Sequence, residues 1–275
     1  MNDKNEKYYN DLSISMLKNQ QELKQPLSHP VNEVLPNVEP HTIISLIGTT
    51  NSGKSVLINN IVFKWYLDIF DSIILISPSA MVDRSMWAFR QSPKVNIFTE
   101  YNDDIINELI DFQQVEDEDE LDDQARILLI MDDCSNPNGA SNHKSAISLL
   151  SQRHRHISTT IIFSCQNYKH LSHSIRSNTK YWIIKSTPNQ KELDKIADEL
   201  TMFGGSKNLK SMYNYSLKDN RYSFLYLDIP NGKAYKEFTE LLYDVNTDNE
   251  SHIDKDKIKN NNNNNGIERT DEKMV

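Results

Sequence analysis

Three stretches of this chain carry residues that could do chemistry together. Gly48-Thr49-Thr50-Asn51-Ser52-Gly53-Lys54-Ser55 reads as a glycine, four residues, then Gly-Lys-Ser, the pattern of a loop that cradles phosphates. Glycines at 48 and 53 allow torsions that a side chain would block, so the loop can turn its amides inward as an anion nest. Lys54 adds a point charge for the β- and γ-phosphates of ATP, and the Ser55 hydroxyl suits Mg²⁺. Asp132-Asp133 closes an apolar run. Asp132 fits the carboxylate that holds Mg²⁺, directly or through water, and Asp133 fits the base that orients an attacking water. Gln166 stands just past another apolar run and can sense the γ-phosphate or position that water. Hydrolysis also calls for a further positive charge, often supplied by a neighbouring subunit; Arg153, Arg155 and Arg176 are the candidates.

The elements around these residues bring them to one place. Residues 42–47 run straight into Gly48 and read as a buried strand, and 56–65 read as a helix whose positive end faces the loop. Further strands are expected at 72–77, 95–98, 126–131, 158–164, 180–185 and 222–227. Helices are expected at 102–112, 141–154, 190–202 and 208–215, with 79–90 helical or irregular and a closing helix at 236–243. Alternating strands and helices predict an α/β fold, a mostly parallel central sheet flanked by helices. Ligands in such sheets bind where the strands end at their carboxyl termini, and each candidate polar group follows such an end.

The P-loop domain is expected to span 37–245 of the 275 residues. Residues 1–36 are polar and read as a flexible arm, with 11–23 able to form a short helix. Residues 246–275, with the asparagine run at 260–264, read as a disordered tail. No apolar run approaches a membrane span, and no secretory leader is visible. Two cysteines, Cys134 and Cys165, give no disulfide framework and suit a reducing intracellular setting.

The net charge of −9 is unevenly spread. Acid gathers at 116–123 and in both ends of the chain. From Cys134 to Lys191 there is no Asp or Glu, while Lys144, Arg153, Arg155, Lys169, Arg176, Lys180, Lys185 and Lys191 all fall there. One side of the fold can therefore be positive enough for the DNA backbone although the chain as a whole is acidic.

The series Gly48 to Ser55, Asp132-Asp133, Arg153-His154 before a strand, Gln166 after it and Ile175-Arg176-Ser177-Asn178 resembles the poxvirus-type viral genome-packaging ATPases of the FtsK/HerA superfamily, found in large DNA viruses and virophages. The resemblance covers about residues 40–245. It implies an additional-strand, RecA-like P-loop fold and a homo-oligomeric ring. It implies ATP-driven movement of double-stranded DNA into a capsid, at a capsid or portal-type vertex, in a virus factory of the host cytoplasm or in the virion. It makes Arg153 the first candidate for the arginine finger and Arg176 the second. Asp133 departs from the pattern, since many relatives carry Glu there. Other readings of the same residues are a hexameric DNA helicase, a nucleotide-gated scaffold that does not hydrolyse ATP, and a small-molecule phosphotransferase.

Overall fold

Branched apolar runs four to seven residues long become strands here because both of their faces can be covered. A computed structural model describes residues 34–38, 41–66, 68–113, 125–133 and 140–247. The expectations for the helix at 11–23, the acidic run, Cys134 and the tail from 248 onward lie outside these residues. The strands are β1 (Ile43–Ile47), β2 (Ser72–Ile76), β3 (Val95–Phe98), β4 (Ile127–Asp132), β5 (Thr159–Cys165), β6 (Tyr181–Ile184), β7 (Leu225–Asp228), β8 (Lys233–Lys236) and β9 (Glu240–Asp244). The helices are α1 (Lys54–Asn59), α2 (Trp87–Gln91), α3 (Asp103–Phe112), α4 (Ala146–Arg153), α5 (His173–Asn178), α6 (Gln190–Glu199) and α7 (Gly205–Ser216).

All nine strands form one sheet in the order β3-β2-β4-β5-β1-β6-β7-β8-β9. The six strands from β3 to β6 are parallel, and β7 to β9 continue antiparallel. Strand β5 lies between β1 and β4, which is the additional strand that the resemblance implies.

The pleat sends alternate residues to opposite faces. Ile127, Leu129 and Met131 join the core under α3 to α7. Leu128 and Ile130 join the core under α1 and α2. A strand apolar on both faces is what a central parallel strand requires. Truncating a side chain such as Phe163, fully buried on β5, to Ala should cost about 3–5 kcal/mol.

The helix after the loop differs from expectation in its winding. Its first turns, Lys54–Asn59, are α-helical, and Asn60–Tyr66 continue as π-helix. Every residue from Leu57 to Tyr66 is buried, so no polar face faces solvent. This accounts for the mixed apolar spacing of the sequence.

One expectation is overturned. Residues 236–243 do not form a helix; they complete β8, a tight turn and β9. Their Lys, Glu and Leu content favours helix, but the preceding Pro230-Asn231-Gly232 is a turn signal. Gly232 adopts φ 64° and closes β7 onto β8. Glu237, at φ 56°, takes the second turn, and its amide bonds Phe224 O at 3.0 Å. Pairing with β7 therefore outweighs local propensity.

Register decides what meets at the carboxyl edge. Ile47 is level with Cys165 on β5 and Ile184 on β6, and Asp132 is level with Ser164. Leu225, the first residue of antiparallel β7, is level with Ile184. The residues just past β1, β4 and β5, and those just before β7, therefore share one edge.

Candidate active site

The loop at Gly48 is held by its neighbours on both sides. Gly48 N donates to Cys165 O at 3.1 Å, Thr49 N to Ser186 O at 3.0 Å, and Ser52 N to Thr49 O at 3.2 Å. A Cβ at Gly48 would come within 2.7 Å of Ser52 Oγ and 2.8 Å of Lys185 Cβ, so the loop passes only as glycine. Asn51 and Gly53 take left-handed torsions, φ 62° and 82°, and curl the loop back on itself. The first amide used inside the following helix is that of Leu57, bonded to Gly53 O at 3.1 Å. The amides of its first turn are thus left for an anion.

Lys54 is 8% exposed and reaches back over this curl. Its Nζ donates to Gly48 O at 2.8 Å and to Thr49 O at 3.3 Å. Ser55 is half-buried beside it. The two lie in a cleft of about 580 Å³ that also contains Asp132, Asp133 and Gln166.

Asp132 is buried, and Ser77 Oγ donates to its Oδ2 at 3.0 Å. Burial raises its carboxyl above the ordinary range; the neighbouring Ser164 and Ser77 hydroxyls and, more weakly, the Lys54 charge pull it down, while Asp133 adds to the rise. A cation beside Asp132 would offset the cost of its buried charge. A hydroxyl and a carboxylate oxygen next to a phosphate loop are a hard oxygen donor set of the kind Mg²⁺ takes, the remaining ligands being phosphate oxygens and water. Ser55 and Asp132 therefore fit that ion.

Asp133 leaves the strand direction. Its φ is 54°, and its amide bonds Ser164 O at 2.8 Å. Aspartate tolerates this left-handed turn better than most residues. The turn brings Asp133 Oδ2 to Gln166 Nε2, which donates at 2.9 Å. The other oxygen, Oδ1, is buried without a hydrogen-bond partner among the described residues. Asp133 lines the cleft, and a carboxylate with one oxygen unpartnered is suited to take a proton from water once a side-chain rotation turns that oxygen to the cleft.

The family described as poxvirus A32 protein matches residues 38–225. The chain belongs to that family. Solved structures agree on the fold. The genome packaging NTPase B204 from Sulfolobus turreted icosahedral virus 2 is 18% identical. Its complex with sulfate superposes with TM-score 0.54 over 74% of this chain and 98% of that one. Its complex with ATP-gammaS gives TM-score 0.51 at 18% identity over 74% of this chain and 99% of that one. The pCW3 conjugation coupling protein TcpA, with ATPgS, is 14% identical and gives TM-score 0.52 over 76% of this chain and 61% of that one. Comparison with curated proteins gives no match.

In this A32-family chain the structure gathers Gly48, Thr49, Thr50, Asn51, Ser52, Gly53, Lys54, Ser55, Asp132, Asp133 and Gln166 at one edge of the sheet. It does not bring the arginines there. Arg153 ends α4 and is exposed, just before the turn that starts β5. Gly48 meets the far end of β5, at Cys165. Seven strand residues separate the two ends by roughly 20 Å. Arg176 is engaged elsewhere: its Nε pairs with Glu199 Oε2 at 3.1 Å, its Nη1 donates to Leu171 O at 2.6 Å, and its guanidinium lies 5.0 Å over the Tyr168 ring.

The single positive face is also corrected in part. Lys185 is 2% exposed, behind the loop. Burial lowers it to about 8, Glu237 acting to raise it and Lys54 to lower it further. Lys169, three residues past Gln166, sits against Lys195, which it depresses, with Lys191 close by. These lysines gather beside the loop that follows β5, with Glu192 among them and bonded to Tyr168 N at 3.1 Å.

Several cleft residues were not foreseen. Ser77 follows β2, buried behind the cleft against Asp132, and could have been found by the rule that ligands meet carboxyl ends of parallel strands. Arg221 and Tyr222 line the cleft because an antiparallel strand starts at this edge, and no motif marks them.

Proposed function

We propose that this chain is an ATP-hydrolysing motor that drives double-stranded viral DNA into a preformed capsid as a homo-oligomeric ring. The observation that carries this reading is the convergence of Lys54, Ser55, Asp132, Asp133 and Gln166 on one cleft after three different strands. Membership of the A32 family and likeness in fold to a viral genome packaging NTPase support it.

In this reading the amides of the loop and Lys54 bind the β- and γ-phosphates of ATP. Ser55 and Asp132 hold Mg²⁺, which when bound supplies positive charge against those phosphates. Asp133 accepts the proton of the attacking water, and Gln166, bonded to its Oδ2, sets the orientation of the carboxylate. Arg153 sits too far from its own cleft to touch a phosphate there, so it serves the cleft of the next subunit. Loss of the γ-phosphate changes what Gln166 and Asp133 bind. The loop after β5, only three residues long before Lys169, carries that change to the basic cluster of Lys169, Lys191 and Lys195. That cluster grips DNA phosphates without reading sequence. The capsid contact lies at a vertex or portal, in a virus factory or the virion.

Steady-state ATPase measurement with and without duplex DNA tests this. Duplex should raise turnover, and raising salt from about 50 to 200 mM should reduce duplex affinity severalfold or more. Asp133→Asn should keep ATP affinity and lower turnover by roughly 10²–10⁴-fold. Turnover indifferent to duplex and to salt would remove the DNA-motor reading, and strand displacement would reassign it to a helicase.

A further inference from the structure

Resting on the triphosphate reading above, we infer that Arg221 and Tyr222 form a stacking platform for the nucleobase. Sheet order divides the cleft. Asp132, Asp133 and Gln166 follow β4 and β5, on one side of the loop strand β1. Arg221 and Tyr222 precede β7, two strands away on the other side. A nucleotide whose γ-phosphate is near Gln166 must leave the loop by another route, and the β7 side offers it.

The pair is built as a rigid support with an open surface. Lys185 Nζ donates to Tyr222 O at 2.6 Å, and Tyr222 N donates to Asn220 Oδ1 at 2.9 Å. Ser223 Oγ donates to Glu237 Oε1 at 2.8 Å, and Phe224 is fully buried. The backbone is thus fixed on each side, yet Tyr222 remains 49% exposed. The ring edge would lie 3.3 Å from a Cβ at Gly53, so it stands directly over the loop. The Arg221 guanidinium lies 4.6 Å over the Tyr222 ring and donates to its hydroxyl. No described carboxylate pairs with Arg221. A planar cation on an exposed aromatic, next to a phosphate loop, presents flat surfaces on which a base can stack.

Stacking recognises the face of a base and not its edge, so the platform takes adenine and guanine nucleotides alike. Titration calorimetry of the full chain with Mg·ATP and with Mg·tripolyphosphate separates base from phosphate binding. Tyr222→Ala should weaken ATP roughly tenfold and leave tripolyphosphate within about twofold; Tyr222→Trp should retain ATP affinity. Arg221→Gln should lower ATP affinity alone, by a smaller factor. Equal losses for both ligands in either variant would move these residues to the phosphates and end the platform reading. Unchanged ATP affinity in Tyr222→Ala, while Lys54→Ala abolishes it, would sink the platform and leave the triphosphate site standing. If the unaltered chain binds neither ligand, the triphosphate reading falls and the platform with it.

Discussion

The two edges of the central sheet are unlike each other. At the carboxyl edge, side chains from three strands converge within one subunit: Lys54 folds over its own loop, Asp132 takes a hydroxyl from Ser77, and Asp133 meets Gln166. At the amino edge Arg153, the last residue of α4, is exposed. Arg176 stands apart from the cleft, tied to Glu199 and packed over Tyr168. One edge gathers a site, and the other offers an exposed charge, Arg153, far from it. In the proposed ring, that charge serves the cleft of the neighbouring copy.

The sharpest attack on this contrast is at Arg153. Arg153→Ala should lower ATP turnover by roughly 10³–10⁵-fold while ATP affinity holds. Mixing it with Lys54→Ala chains, which retain Arg153, should restore measurable turnover by pairing intact clefts with intact arginines. No recovery across mixing ratios would place Arg153 outside the reaction. Lys54→Ala alone should lower turnover by at least about a hundredfold, since it removes the charge held at the loop; undiminished turnover would move the chemistry away from this edge.

A smaller effect is expected from Lys185, whose ammonium burial holds at about 8 against an ordinary 10.5. The folded chain releases this proton at lower pH than the unfolded chain. Its burial therefore weighs fully against the fold below about pH 8, and stability recovers as pH rises toward 10.5. Lys185→Met removes this penalty together with the bond to Tyr222 O, so its expected signature is the flattening of that rise. Denaturant midpoints at pH 7 and 9.5 measure it, and parallel profiles for both proteins would refute the assignment. The smallest effect belongs to Arg176→Gln. Its ion pair is partly exposed, so about 0.5–1 kcal/mol is at stake, with turnover changed less than about twofold. A collapse of turnover would return Arg176 to the list of catalytic arginines and blur the contrast between the edges.

Much of this arrangement could be read from residue order. The strands β1, β2, β4, β5 and β6 announce themselves as unbroken apolar runs because both of their faces are covered. Gly48 to Ser55 has a pattern that chemistry imposes on few sequences, and the acids and Gln166 follow apolar runs directly. Reading failed where partners distant in sequence decide the outcome. Residues 236–243 have helical composition but are claimed by β7. Lys185 looks like a surface cation in a basic stretch, and only strand pairing reveals that it lies under the loop. Arg176 looks available until Glu199 and Tyr168 are brought against it. Arg221 and Tyr222 reach the cleft through an antiparallel turnback that no local signal encodes.

The left-handed turn at Asp133 has a consequence for how such sites diverge. The backbone curl supplies part of the reach that a longer acid would supply with an extra methylene. Glutamate is less at ease in that curl than aspartate. Exchanging Asp133 for Glu thus also asks the main chain to re-form.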